Sequence, residues 1–124
     1  MVSLKIWLRA LRIPFFTAAV IPVLLGSVVA WHDTGMFSWP LFFLILFGAL
    51  FLHAGTNLAN DFYDHISKND VVNKTPTPFS GGSRVIQEKL IPAKQILIAS
   101  ILFFLLGSFI GLYLNSILPN NMLL

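Results

Sequence analysis

The chain contains no cysteine, which excludes disulfides and thiolate metal sites and leaves the redox compartment open. Charge is scarce as well. Only 10% of the residues are Asp, Glu, Lys or Arg, and the modest net charge of +3 gives no reason to invoke nucleic acid as a partner. No internal repeat and no low-complexity tract is visible. The chain is filled instead by apolar residues. Three nearly uncharged stretches, at about 13–31, 40–60 and 95–118, each reach the roughly 20 residues that cross a bilayer. A soluble domain of 124 residues would not carry three such runs. The sequence therefore predicts an all-α integral membrane protein with three transmembrane helices, and the lipid bilayer is its first partner.

The loops set an orientation. Lys5, Arg9 and Arg12 precede the first run, and Lys68, Lys74, Arg84, Lys89 and Lys94 lie in or beside the connection 61–94. The connection around His32-Asp33 has neither Lys nor Arg, and the same holds after the third run. The positive-inside rule places the N-terminus and the long connection on the cytoplasmic side of the cell's inner or plasma membrane. Trp31 and Trp39 flank the short outer loop as belt aromatics would. A signal peptide is the competing reading of the start. Its apolar core would exceed the usual length of about 7–15 residues, and Pro14 and Pro22 interrupt it.

Local signals refine the spans. Residues 3–12 suit a short amphipathic helix whose Lys5, Arg9 and Arg12 reach toward head groups. Ser38-Trp39-Pro40 reads as the start of the second span, with Ser38 as cap and proline in the first turn. Gly48, Ala49, Ala54, Gly55 and Ala59 allow close helix packing. Pro92 opens the third span. Pro119-Asn120-Asn121 reads as a turn, and Met122-Leu123-Leu124 as the first residues of a further apolar segment.

Polar residues inside a span are costly and mark function. At 100° per residue, His53, Asn57, Asn60, Asp61 and Asp64 fall within roughly 100° of one another, forming one polar stripe on an apolar helix. Asn57, Asp61 and Asp64, at i, i+4 and i+7, are expected to turn their oxygens to one side. All-oxygen sets suit hard cations, and Mg²⁺ takes one or two carboxylates plus waters and substrate phosphates. Two aspartates alone would repel a diphosphate, and a bridging metal reverses that sign. The plainer reading is that Asp and Asn at a helix end cap it or meet water, and that His53 is a hydrogen-bonded packing residue.

The second connection contains Pro78-Phe79-Ser80-Gly81-Gly82-Ser83-Arg84, a glycine-rich turn with two hydroxyls and a guanidinium. Exposed N–H groups there would suit an anion, and Arg84 would grip a phosphate or carboxylate with two parallel bonds. Glycine pairs are also ordinary flexible turns. Asp70 reads either as a further metal contact or as a solvated acid.

Together, Asn57-xxx-Asp61-xx-Asp64 and the Phe79-Ser-Gly-Gly-Ser-Arg84 turn resemble the UbiA superfamily of intramembrane prenyltransferases, and the longer run Ser80-Gly-Gly-Ser-Arg84-Val-Ile-Gln is most similar to its menaquinone branch. The run Asn60-Asp61-Phe-Tyr-Asp64, then Asp70, the opening Leu11-Arg12-Ile13-Pro14-Phe15 and His53-Ala-Gly-Thr-Asn57 are also most similar to that branch. The resemblance implies Mg²⁺-dependent transfer of a polyprenyl group from polyprenyl diphosphate to an aromatic acceptor, 1,4-dihydroxy-2-naphthoate, giving demethylmenaquinone. It implies Asp61 and Asp64 as catalytic residues that hold Mg²⁺ with Asn57 and Asp70. Asn57, Asn60, Ser83 and Arg84 would be substrate-binding.

The chain departs from that family in extent. Members form nine-helix bundles with a second aspartate-rich motif, and residues 1–124 supply three spans and the first motif. The expectation is an incomplete UbiA-like domain, inactive alone, whose missing C-terminal portion would be its partner. The alternatives are a non-catalytic three-span subunit, a cation transporter fragment, and a prenyltransferase for another aromatic acceptor.

Overall fold

Proline and left-handed backbone decide where the first helices break. The computed structural model describes residues 2–67 and 82–118. Helix α1, Leu4–Leu11, stops at Arg12, which enters the left-handed region at φ 55° and donates its N–H to the Arg9 carbonyl at 3.0 Å. That backbone is uncommon outside glycine. The Arg12 guanidinium lies 4.4 Å from the Phe15 ring centroid, a cation–π contact that favours it. Pro14 then begins a 3₁₀ segment, Ile13–Phe16, at a position where its missing N–H leaves no bond unmade. Helix α2, Thr17–Thr34, runs on through Pro22 and closes at Gly35, whose φ of 68° lets its N–H reach the Trp31 carbonyl at 2.8 Å.

Helix α3, Trp39–Ile66, extends six residues beyond the expected end at 60. Nothing between Asp61 and Ile66 is glycine or proline, so nothing stops the helix. Asp61 and Asp64 therefore lie on the helix, as the polar stripe requires. At 1.5 Å per residue, Asp61 lies about 33 Å from Trp39, near the far limit of a hydrocarbon core of about 30 Å. Ser38 occupies the N-cap position, as expected, but its side chain makes no capping bond. Helix α4, Ala93–Ile117, starts after Pro92. All of the regular structure among the described residues is helical, and the three segments Ile13–Thr34, Trp39–Ile66 and Ala93–Ile117 are long and apolar enough to cross a membrane.

The tightest packing is between α3 and α4. A Cβ on Gly48 would sit 3.0 Å from Ile110 Cγ2, one on Gly55 would sit 3.1 Å from the Phe104 ring, and one on Gly107 would sit 2.7 Å from Leu52. Small residues bring the two helices close, as membrane packing requires when burial from lipid gains nothing in itself. Ser100 Oγ donates to the Gly55 carbonyl at 2.9 Å across this contact. Helix α2 buries no residue of its own and touches α3 less closely. An apolar groove of about 800 Å³ lies between α2 and α3, lined by Pro22, Gly26, Trp31, Phe37, Phe42 and Ile45 among others. It borders the half of α3 remote from Asp61.

A second core forms at the Asp61 end. Ala10 of α1, Leu58 of α3, Val85, Ile86 and Ile91 of the connection, and Ile96 of α4 pack together. Each large aliphatic among them contributes roughly 1.5–3 kcal/mol where the alternative is exposure to water. This cluster brings the amphipathic helix and the glycine-rich turn to the same end of α3.

Candidate functional site

Asp61 is only 3% exposed, and Ser83 engages both of its oxygens. The Ser83 backbone N–H donates to Oδ1 at 3.0 Å, and the Ser83 hydroxyl donates to Oδ2. A carboxylate buried without donors would be costly, and this pairing meets much of that cost. Ser83 is itself buried. Arg84 follows with φ at 61°, half-buried, its Nη1 atom enclosed and without a hydrogen-bond partner among the described residues.

The chain then makes a tight turn. Glu88 N–H donates to the Arg84 carbonyl at 2.9 Å, and Leu90 N–H donates to Val85 O at 2.9 Å. This turn sets Glu88 against α1, where Arg9 donates through Nη1 and Nη2 to its two carboxylate oxygens at 2.7 and 2.6 Å. The hydrogen bond to Glu88 raises the Arg9 pKa above its ordinary value, against partial desolvation and with help from the charges of Glu88 and Asp61. The reciprocal bond from Arg9 lowers the Glu88 carboxyl, against desolvation and with help from the charges of Arg9 and Arg84. Arg9, Asp61, Arg84 and Glu88 thus alternate in sign around one end of the molecule.

The other stripe residues divide. Asn57 Nδ2 donates to the Leu11 carbonyl at 2.9 Å, meeting an acceptor that α1 leaves open at its last turn. Asn60 Nδ2 donates to Asp64 Oδ2 at 2.9 Å, one turn along the same helix. His53 sets its ring edge-on to Phe16 with centroids 5.4 Å apart, and its Nε2 is enclosed without a partner among the described residues. The stripe of Asn57, Asp61 and Asp64 exists on α3. Each side chain is drawn to a different neighbour, because a buried polar atom takes the nearest partner. Ser83, expected on substrate, is the partner of Asp61 in this structure. Asp70 lies outside the described residues, as do Phe79, Ser80 and Gly81 of the glycine-rich turn.

Among the described residues, no three His, Cys, Asp or Glu side chains gather as a metal cage. The donors present are still all oxygen: the carboxylates of Asp61 and Asp64 and the amide oxygens of Asn57 and Asn60. Such a set suits a hard divalent cation completed by waters and phosphate oxygens rather than a closed protein site.

Residues 19–119 match the UbiA prenyltransferase family. The chain belongs to that family. The motif resemblance and the all-helical membrane architecture agree with this membership. Among UbiA-related proteins, the chain is similar to a 2-carboxy-1,4-naphthoquinone phytyltransferase of Synechocystis sp., 39% identical over 67 residues, or 54% of this chain and 22% of that protein. It is also similar to a chloroplastic 2-carboxy-1,4-naphthoquinone phytyltransferase of Arabidopsis thaliana, 32% identical over 59 residues, or 48% of this chain and 15% of that protein. The matched segment spans less than a quarter of the length of either relative. No solved structure matches the chain.

Two contacts at this end of α3 carry no signal that motif or periodicity would catch. Glu88 belongs to neither motif, although it is the only glutamate in the chain and stands in a connection otherwise rich in cations. Leu11 stands in the opening motif, but it accepts from Asn57 through its carbonyl, which no side-chain pattern marks.

Proposed function

We propose that these residues supply the first carboxylate site of a UbiA-type enzyme that transfers a polyprenyl group from its diphosphate to a carboxylated naphthalene-diol acceptor. The observation that carries the reading is that Asp61 and Asp64 lie at one end of α3, where Ser83 fastens the turn that carries Arg84 to Asp61, in a member of this family. The relatives are named for a 2-carboxy-1,4-naphthoquinone acceptor. 1,4-Dihydroxy-2-naphthoate is the same skeleton carrying two more electrons and two more protons. The reduced form suits the chemistry better, because an allylic cation is captured by an electron-rich ring. The ring carboxylate leaves as CO₂ and the diphosphate departs as the new carbon–carbon bond forms, giving demethylmenaquinol, the reduced form of demethylmenaquinone.

Asp61 and Asp64, with Asn57 and the amide oxygen of Asn60, are the residues that would hold Mg²⁺, and Asp70 is a further candidate. Bound there, the ion would offset the charge of the leaving diphosphate. Arg84 brings an enclosed N–H donor to the same end and would bind the diphosphate or the acceptor carboxylate. The span lengths leave a prenyl tail in the membrane while its head lies at the boundary. That α1 and residues 82–91 pack at one end supports placing both on the cytoplasmic side, in line with their lysines and arginines. Residues 1–124 would then form the first three spans of the larger bundle.

Asp64→Asn is the sharper test, because Asp61 also fastens Ser83 whereas the Asp64 carboxylate bonds only Asn60 among the described residues. In membranes containing the protein with its natural flanking sequence, Mg²⁺-dependent prenyl transfer is expected to fall about 100-fold or more. Turnover equal to the parent in both Asp64→Asn and Asp61→Asn would overturn the assignment.

A further inference from the structure

The Arg9–Glu88 pair joins residues 79 positions apart, with side chains 46% and 43% exposed. Ion pairs this exposed contribute little to stability, so their geometry is the better guide to what they do. Both guanidinium nitrogens meet both carboxylate oxygens, the arrangement that fixes orientation as well as distance. Glu88 is also tied to Arg84 directly, through its N–H to the Arg84 carbonyl at 2.9 Å. On the other side of Arg84, Ser83 is fastened to Asp61. Arg84 therefore stands between two fastenings, at a left-handed φ of 61° that a non-glycine residue adopts only when its surroundings hold it there.

We propose that Arg9 and Glu88 form a clamp that positions Arg84 for an anionic group of the substrate, so that α1 is a working part of the site rather than only a membrane-surface helix. The proposal rests on the reading of Arg84 as an anion ligand given above. Neither clamp residue touches substrate. Arg9 lies beside Ala10, which is fully buried in the cluster that also holds Val85 and Ile86. The clamp thus ties the turn to a rigid core. Arg84 presents its enclosed Nη1 from that fixed base. The anion is either a diphosphate or an aromatic carboxylate, since a guanidinium serves both alike.

The test measures binding by calorimetry on the protein in nanodiscs. Two probes are used, inorganic pyrophosphate with Mg²⁺ and 1-hydroxy-2-naphthoate. Arg9→Glu and Glu88→Arg are each expected to weaken one probe by about 10- to 100-fold, the range that misplacement of a site residue produces. The exchanged pair, R9E with E88R, is expected to recover most of that loss. A purely structural role for either residue alone would not give this rescue. Loss confined to pyrophosphate identifies the diphosphate as the group held, and loss confined to the naphthoate identifies the carboxylate.

Glu88→Gln, close in shape to the parent, covers the case in which the charge reversals do not fold. Its effect is expected to be non-additive with that of Arg84→Ala, because both act through one contact. Additive losses, or binding of both probes unchanged in R9E and E88R while R84A is weakened, would overturn the clamp and leave Arg84 as ligand. Binding of both probes unchanged in R84A would overturn the ligand reading itself, and the clamp with it.

Discussion

Ser83 directs both of its donors to Asp61, a residue 22 positions earlier in the chain, and both partners are buried. Helix α3 cannot by itself satisfy a carboxylate projecting from its side, because its own N–H groups are committed along the axis. The connection returns to α3 to supply what the helix lacks. As a consequence, the carboxylate proposed as a metal ligand is also the anchor of the turn that carries Arg84.

Ser83→Ala should separate the two roles. It keeps the backbone N–H on Oδ1 and removes the hydroxyl from Oδ2, leaving a buried acceptor short of one donor. The expected loss is about 1–3 kcal/mol of stability, read as a lower midpoint of thermal unfolding in detergent micelles. A midpoint equal to the parent would show that the hydroxyl contributes nothing to holding the turn.

Close packing of α3 on α4 predicts an asymmetry between two glycines of the same helix. A Cβ on Gly107 would fall 2.7 Å from Leu52 and 3.2 Å from the Gly48 carbonyl, whereas one on Gly111 meets nothing within 4 Å. Gly107→Ala should cost about 1–3 kcal/mol through overpacking. Gly111→Ala should be neutral or slightly stabilising, with a helix-propensity gain of up to about 1 kcal/mol. Unfolding of both variants in SDS-containing mixed micelles measures the difference, and equal midpoints would contradict the packing described.

The Arg9–Glu88 pair should give this end of the molecule a dependence on acid. Hydrogen bonding from Arg9 holds the Glu88 carboxyl below the ordinary carboxylate range. A carboxyl lowered by folding lends stability above its unfolded pKa and loses it as pH falls through the folded one. Arg9 is raised, so its share is present at all lower pH and is lost only above the guanidinium range. The window is therefore on the acid side, below the unfolded carboxylate value. The half-exposed geometry keeps the effect small. Trp7, packed against the buried cluster beside Ala10, reports it by fluorescence. Acid titration should show a Trp7 transition that Glu88→Gln abolishes, and a transition unchanged in that variant would assign it elsewhere.

Much of this protein is legible in its residue pattern. Three helices, the short amphipathic helix before them and the small residues of α3 all follow from patterns that operate within one element, where hydropathy and side-chain size act locally. The polar stripe is likewise a property of helical periodicity, and it is present on α3. The extra turns of α3 beyond residue 60 are not legible in this way. A hydropathy limit marks where apolar residues end, while the helix ends only where its hydrogen bonds do.

The division of the stripe is different in kind. Periodicity places Asn57, Asn60, Asp61 and Asp64 on one side of a helix and says nothing of what lies opposite. Asn57 turns to a carbonyl of α1, Asp61 to a serine of the connection, and Asn60 and Asp64 to each other. The sequence by itself determined the membrane helices, the family motifs and the chemical types available to the site. The tertiary structure alone decided which partner each polar side chain takes and that Arg9 clasps Glu88. Apart from the Asn60–Asp64 bond within α3, those contacts join residues 22 to 79 positions apart, and a hydrogen bond is set by distance and direction in space, not by position along the chain.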